Sequence, residues 1–318
     1  LGGNALIRRG DDGSMEVQRR NLDVAARSLV ELEGAGHDLV ITHGNGPQVG
    51  FLAIEADAAR DLVPPPPLDV LVAESQGQIG YLLVAAVEAA FEAAGRPRQV
   101  VALVTRTVID PADPAFARPT KPIGPVYDEP TARRLASEHG WSVAPDGAAW
   151  RRVVASPRPL ALVEASAIRH LVDVGVIVVA SGGGGIPVVL GPAGGSVGVE
   201  AVVDKDHAAV VLAEAVGADA LLLLTDVDAV HADWAGLRET PITTLTLDEV
   251  AEGLRGGVFA AGSMGPKVEA AATFVRRTGA LAAIGALGDA PAILAGRAGT
   301  RIVAARVALG LTTEATTV

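Results

Sequence analysis

Apolar residues along this chain fall into two rhythms that alternate. Short runs such as VVALV and VIVVA are rich in Val and Leu and apolar at every position. That is the pattern of a strand covered on both faces. Five stretches carry such runs: HDLVITHGNGPQ, QVVALVTRTVID, GVIVVASGGGG, ADALLLLTDVDAV and ALAAIGAL. Between them lie longer alanine-rich stretches, at 15–35, 74–94, 160–174, 205–216 and 265–278, that read as helices. Strands alternating with helices predict an α/β fold with a largely parallel sheet and helices on both sides. Ligands of such sheets bind beyond the carboxyl ends of the strands.

One region breaks the rhythm. Residues 110–159 are rich in Pro and charge and hold Trp141 and Trp150. They read as an inserted subdomain or flap, although a long surface excursion would have the same composition. VPPPPLDV at 63–70 reads as an extended connector. Charges or glycines interrupt every apolar run before the ~20 residues of a spanning helix, so no membrane span is expected. No signal segment opens the chain. LGGNAL resembles the exit of a strand, so a few strand residues are expected ahead of Leu1.

Composition narrows the chemistry. The 318 residues are 49% hydrophobic, enough for one large domain or two lobes. Aromatics are only 3%, so the core must be built from Ala, Val, Leu and Ile. A formal net charge of −11 disfavours nucleic acid or an anionic membrane as the main partner. The chain has no cysteine, which excludes disulfides and thiol catalysis and fits a reducing cytoplasm.

Three glycine loops follow strands: LGGN (Leu1–Asn4), HGNGP (His43–Pro47) and SGGGGIP (Ser181–Pro187). Singly, each reads as a tight turn. Together they point to a phosphate or carboxylate site, with bare amides converging on an anion. Neither G-x-x-x-x-G-K-[ST] nor a G-x-G-x-x-G that opens a helix is present, which weighs against a P-loop or a dinucleotide binder. Lysines are few, and three sit in unusual settings: Lys121 in RPTKPIGP, Lys205 between two aspartates in VVDKDHAA, and Lys267 in SMGPKVEAA. Each alone could be a solvated lysine. As a set they suit point charges around a transferring phosphoryl group, with Asp206 fixing them. The six histidines show no ligand spacing, so no metal site is expected from protein side chains. His43 is expected to brace its loop.

The series LGGNAL, THGNGPQVG, SQGQIGY, PTKPIGPVY, SGGGGIPVV, VVDKDHAA, LLTDVDAV and GSMGPKVEAA, in order along nearly the whole chain, resembles the carbamate kinases of the amino acid kinase family. The resemblance implies a three-layer αβα sandwich around a largely parallel sheet, with a small protruding subdomain at about 110–159. It implies an N-terminal lobe (1–216) for carbamate or carbamoyl phosphate and a C-terminal lobe (217–318) for the nucleotide. The implied reaction is reversible phosphoryl transfer between ATP and carbamate, with Mg²⁺ accompanying ATP or ADP, in a cytoplasmic homodimer serving arginine breakdown. Carried over by motif, Gly2, Gly3 and Asn4 with Gly44, Asn45 and Gly46 would surround carbamate and the transferring group. Lys121, Lys205, Asp206 and Lys267 would be the catalytic set. Gly183, Gly184, Thr225, Asp226, Asp228, Ser263, Met264 and Gly265 would line the nucleotide site together with Lys267. HADWAG after the TDVD loop follows no assignable pattern. The alternatives are a family member acting on an acyl acceptor such as acetylglutamate, or a catalytically silent nucleotide-binding regulator.

Overall fold

The computed structural model describes residues 1–2, 7, 14–192, 194–232, 240–259 and 264–305. Three parallel strands lie side by side in the order Val40–Ile41, Ile177–Val179 and Val100–Ala102. Four more run Ala220–Thr225, Leu281–Ala286, Thr300–Val303 and Thr244–Thr246, the last two reversed with respect to the first two. Leu1 and Gly2 join the two groups. Leu1 N donates to Thr42 O at 2.7 Å, Gly44 N to Leu1 O at 2.9 Å and Gly2 N to Leu224 O at 2.8 Å. The result is one central sheet.

The sheet is apolar on both faces, as continuous hydrophobic strands require. Leu224, Ala283, Ile177 and Val179 face one core with Leu22, Leu29, Ile79, Leu83 and Phe91 of the helices Met15–Gly34 and Leu68–Ala93. The alternate residues Leu221, Leu223, Ala282 and Ile284 face another, with Val210, Val268, Ala271 and Phe274 of Lys205–Val216 and Met264–Thr278. Helices on both sides make the three-layer αβα sandwich.

A two-stranded antiparallel pair, Val230–Ala232 with Thr240–Ile242, and two larger sheets sit beside it. One holds Ser196–Gly198, Ile186–Leu190, Arg106–Ile109 and Pro159–Leu162. The other is antiparallel and comes wholly from the irregular region: Lys121–Tyr127, Ala149–Val154 and Ser142–Asp146, with the helix Glu129–His139. Its two tryptophans lie under arginines, Arg152 over Trp141 and Arg133 over Trp150, each at 4.8 Å.

The structure corrects three expectations. QVVALVTRTVID is two strands in different sheets, Val100–Ala102 and Arg106–Ile109. The break falls at Thr105, whose main-chain N–H donates to Gln76 Oε1 at 2.9 Å and is withheld from any ladder, while its C=O accepts from both Gln76 Nε2 at 3.1 Å and Ile186 N at 2.9 Å. The stretch 160–174 is the strand Pro159–Leu162 followed by the helix Ala165–Asp173. The helix expected from residue 74 begins at Leu68, straight after the prolines, where Glu200 Oε1 accepts the Leu68 N–H at 2.9 Å. That longer helix, Leu68–Ala93, is apolar enough to cross a membrane by length and composition, with a mean hydropathy of 1.4. Half of its most apolar window is buried, and it sets Leu71, Val72, Ile79, Val87 and Phe91 inside the protein.

Candidate active site

The strands Val40–Ile41, Ile177–Val179 and Ala220–Thr225 run the same way, so their exit loops gather at one edge of the sheet. Thr42 Oγ1 donates to Ser181 O at 3.0 Å, and Gly183 N donates to His43 O at 2.7 Å. His43 is buried, its pKa is pushed down to about 4 by burial, and it stays neutral. Asn45 caps no main-chain group of the helix Gly46–Ala58 that it precedes. Its amide instead donates to Ser75 Oγ at 2.8 Å.

The four glycines therefore have a packing task. A Cβ on Gly182 would lie 2.4 Å from the His43 ring, and one on Gly183 2.2 Å from the Asn45 amide. On Gly184 it would meet Val203 O at 2.4 Å, and on Gly185 Thr107 Oγ1 at 2.1 Å. Gly183, Gly184 and Gly185 also hold φ of 63°, 95° and 82°, which side chains resist. Their amides donate to His43, Ser181 and Gly182 carbonyls. Gly44 N is spent on Leu1. These four amides are thus structural and not the open anion cradle that the sequence pattern predicts. Gly46 differs, since a Cβ there would meet nothing within 4 Å among the described residues. Ser181, buried, adopts φ 54°, and its hydroxyl has no hydrogen-bond partner among the described residues.

Beside the glycine loop, Val203 leads into Asp204 and the helix Lys205–Val216. Asp206 in its first turn is a hub. Its Oδ2 accepts from Lys205 Nζ at 2.8 Å and from Lys267 Nζ, in the first turn of Met264–Thr278, at 2.9 Å. Lys267 and Asp206 are 7% and 5% exposed, so this is an interior ion cluster. Burial drives Lys267 down to about 8, the Lys205 charge adds to the fall, and Asp206 opposes it. For Lys205, burial also pulls downward, but Asp206 and Asp204 hold it above the ordinary lysine range. Asp206 is held below the usual carboxylate range, since the two ammonium groups outweigh its burial. Lys121 opens the first strand of the small antiparallel sheet and reaches Asp204 Oδ2 at 2.7 Å. That strand rests on the helix Gly46–Ala58, where Gly50 and Gly124 leave room for close approach.

The remaining sequence candidates are placed as follows. Gly2 is buried against Leu224 and Thr225. Thr225 Oγ1 donates to Asp226 Oδ1 at 3.0 Å. The exposed Asp228 carboxylate accepts from His231 Nε2 at 2.8 Å and lies below the usual range because of that bond. Met264 and Gly265 open the helix that carries Lys267. Gly3, Asn4, Ser263 and residues 233–239 lie outside the described residues. The structure thus brings Lys121, Lys205, Asp206 and Lys267 into one charged cluster beside the loop of Gly183 and Gly184. The residues that sequence reasoning missed are Asp204, Gln76, Thr105 and Ser75. Asp204 carried a usable signal, an Asp directly before a helix. The other three are polar positions whose partners lie far away in the chain.

The sequence model of the amino acid kinase family matches residues 1–285. The carbamate kinase of Pyrococcus horikoshii is 46% identical over 306 residues, covering 95% of this chain and 97% of its own length. That of Escherichia coli strain K12 is 45% identical over 304 residues, with coverages of 95% and 97%. Among solved structures, carbamate kinase from Giardia lamblia bound to AMP-PNP superposes with a TM-score of 0.87 at 41% identity, covering 95% of this chain and 96% of that one. An aspartate kinase from Synechocystis shares the fold alone, at 18% identity and a TM-score of 0.54, covering 96% of this chain and 39% of its own.

Proposed function

The chain belongs to the amino acid kinase family and groups within it with the carbamate kinases; from that premise we propose how its residues carry out reversible phosphoryl transfer between ATP and carbamate. The observation that carries the reading is the cluster of three lysines on two aspartates, Lys121 on Asp204 and both Lys205 and Lys267 on Asp206. Three ammonium groups against two carboxylates leave one net positive charge where two anions must meet.

Carbamate is already an anion, so its oxygen attacks phosphorus without a general base. In the reverse direction a β-phosphate oxygen of ADP attacks carbamoyl phosphate, the P–O bond to carbamate breaks, and carbamate leaves as the anion. The obstacle in both directions is repulsion, and positioned charge is what phosphoryl transfer demands. Lys205 and Lys267 face the transferring group and the nucleotide phosphates, with Asp206 holding both in place. Lys121 serves the acceptor. Gly2, Gly3 and Asn4 with Gly44, Asn45 and Gly46 surround carbamate, and the open space at Gly46 supports a close approach there. Gly183 and Gly184 shape the floor between the two ligands. Thr225, Asp226, Asp228, Ser263, Met264 and Gly265 line the nucleotide side.

We assign residues 1–216 to the acceptor lobe, 217–318 to the nucleotide lobe and about 110–159 to a cover over the acceptor. Mg²⁺ would enter with the nucleotide phosphates and neutralise part of their charge. We also assign the chain to a homodimer. Val70 and Tyr81 are exposed on the helix Leu68–Ala93. Exposed Val104 and Val197 lie on segments touching that helix, at Gly80–Ala102 and at Asp69–Gly198. Exposed apolar side chains on adjoining segments are what an association surface would use. The absence of cysteine supports a cytoplasmic setting, and the family resemblance supports ATP formation in arginine breakdown. The direct test is ATP formation from ADP and carbamoyl phosphate, with acetylglutamate and ATP as the control. ATP formation with an idle control supports the reading, and the reverse pattern moves the chain to another acceptor.

A further inference from the structure

The two oxygens of the Asp204 carboxylate face different layers of the protein. Oδ1 caps the helix Lys205–Val216, accepting from the main-chain N–H groups of Asp206 at 2.9 Å and His207 at 3.3 Å. Oδ2 accepts from Lys121 Nζ at 2.7 Å. One side chain thus joins the small antiparallel sheet to the helix that carries Lys205 and Asp206. Burial would raise this carboxyl, but the His207 hydrogen bond and the Lys121 and Lys205 charges hold it far below the usual carboxylate range.

The joint continues on the other side. His207 Nδ1 lies 3.3 Å from Asp204 Oδ1, and its Nε2 lies 3.4 Å from Glu269 Oε2. Glu269 sits one turn along Met264–Thr278 and accepts from Arg158 Nη2 at 2.5 Å. The main-chain N–H of Arg158 in turn donates to Asp113 Oδ2 at 2.9 Å. Asp113 lies where the chain enters the irregular region and Arg158 where it returns. The two ends of that region are therefore tied to each other, and through Arg158 to the helix whose first turn holds Lys267.

We propose that Asp204 is a positioning residue, fixing the Lys121 ammonium over the acceptor before the acceptor arrives. This rests on the reading of Lys121 as the acceptor-side charge. A lysine has a long stem with many rotamers, and an ammonium serves catalysis only where it is already placed. Pro122 stiffens the chain beside Lys121, and Asp204 fixes the far end of its side chain.

Asp204→Asn separates this role from capping. Asn caps a helix about as well as Asp, and its oxygen retains the bonds to Asp206 and His207. Its amide nitrogen then replaces Oδ2, so that donor meets donor opposite Lys121. ATP formation from ADP and carbamoyl phosphate is measured for wild type, D204N, K121A and the double variant, with melting temperatures. D204N is expected to melt below wild type, because it loses the charge paired with Lys121, yet to stay folded at the assay temperature, to lose kcat by roughly tenfold to 10²-fold, and to leave the KM for ADP unchanged. In the K121A background D204N is expected to add no further loss. Full multiplicative losses in the double variant overturn the proposal. So does faster turnover in D204N, which would make the ion pair a restraint to be broken. If D204N melts well below wild type, Asp204→Ser, also a good cap, carries the same comparison. An idle wild type or a neutral K121A would refute the underlying reaction or the Lys121 role. A neutral D204N beside an impaired K121A refutes the positioning alone.

Discussion

Lys267 Nζ donates to Asp206 Oδ2 at 2.9 Å, joining the first turns of two helices that lie sixty-one positions apart in the chain. The same oxygen takes Lys205 at 2.8 Å. Asp206→Asn would leave two ammonium groups facing each other in the interior. Removing one partner of a buried ion pair costs about 3–5 kcal/mol. The variant is expected to melt far below wild type near neutral pH and to lose turnover. Near pH 9 the stability gap should narrow, because Lys267 can shed its proton and relieve the repulsion. Calorimetry at the two pH values checks this.

Lys267, on the proposed reading, is expected to set an alkaline limit on activity. Its pKa of about 8 means that the free enzyme loses this charge as pH rises through that value. The kcat/KM for ADP, which reports groups of the free enzyme, is expected to fall there. The fold should not weaken through this residue. Between about 8 and the ordinary lysine value of 10.5 the unfolded chain binds more protons at this position than the folded one. Stability from this group therefore rises with pH in that window. Lys205, held above its ordinary value, loses its contribution only beyond that window. Lys267→Arg keeps its charge and should remove the alkaline limb, at a lower rate. Paired pH profiles of kcat/KM and melting temperature test the assignment.

Two glycines separate scaffold from ligand space. Gly184 has φ 95°, and a Cβ would lie 2.4 Å from the Val203 carbonyl oxygen. Gly184→Ala should cost at least about 1–3 kcal/mol from backbone strain alone. At Gly46 a Cβ meets nothing among the described residues and φ is ordinary, so Gly46→Ala should leave the melting temperature unchanged. Its turnover should nevertheless fall, since the added methyl occupies the approach assigned to carbamate. Thermal melts and kcat for both variants decide. Normal turnover in Gly46→Ala would take that loop out of the acceptor site.

The architecture was legible because strands covered on both faces leave a run of apolar residues. The bounds of Lys205–Val216 match the sequence reading at both ends, with Asp204 capping one end and Gly217 in the left-handed region at the other. The break at Thr105 was not legible, because it is made by Gln76, 29 positions away. The glycines of SGGGGIP were found, but their use was misjudged. Their amides answer to His43, Ser181 and Gly182, partners that a linear pattern cannot name. The three lysines stood out by their setting, and the DKD string held both of their carboxylate partners. That Asp204 belongs to Lys121 and Asp206 to Lys205 and Lys267 emerges only once the small sheet is folded back onto the helix.

The central claim is that the three lysines divide the reaction, with Lys121 acting on the acceptor and not on the nucleotide. ATP formation from ADP and carbamoyl phosphate by Lys121→Ala, set beside a direct ADP titration of the same variant, tests it most directly. The account expects most turnover to be lost while ADP binding stays close to wild type. Lys121→Arg should recover little, since a broad guanidinium does not replace a compact ammonium at a fixed point. Near-normal ATP formation by Lys121→Ala would contradict the account and leave Lys121 as a solvated lysine on the small sheet.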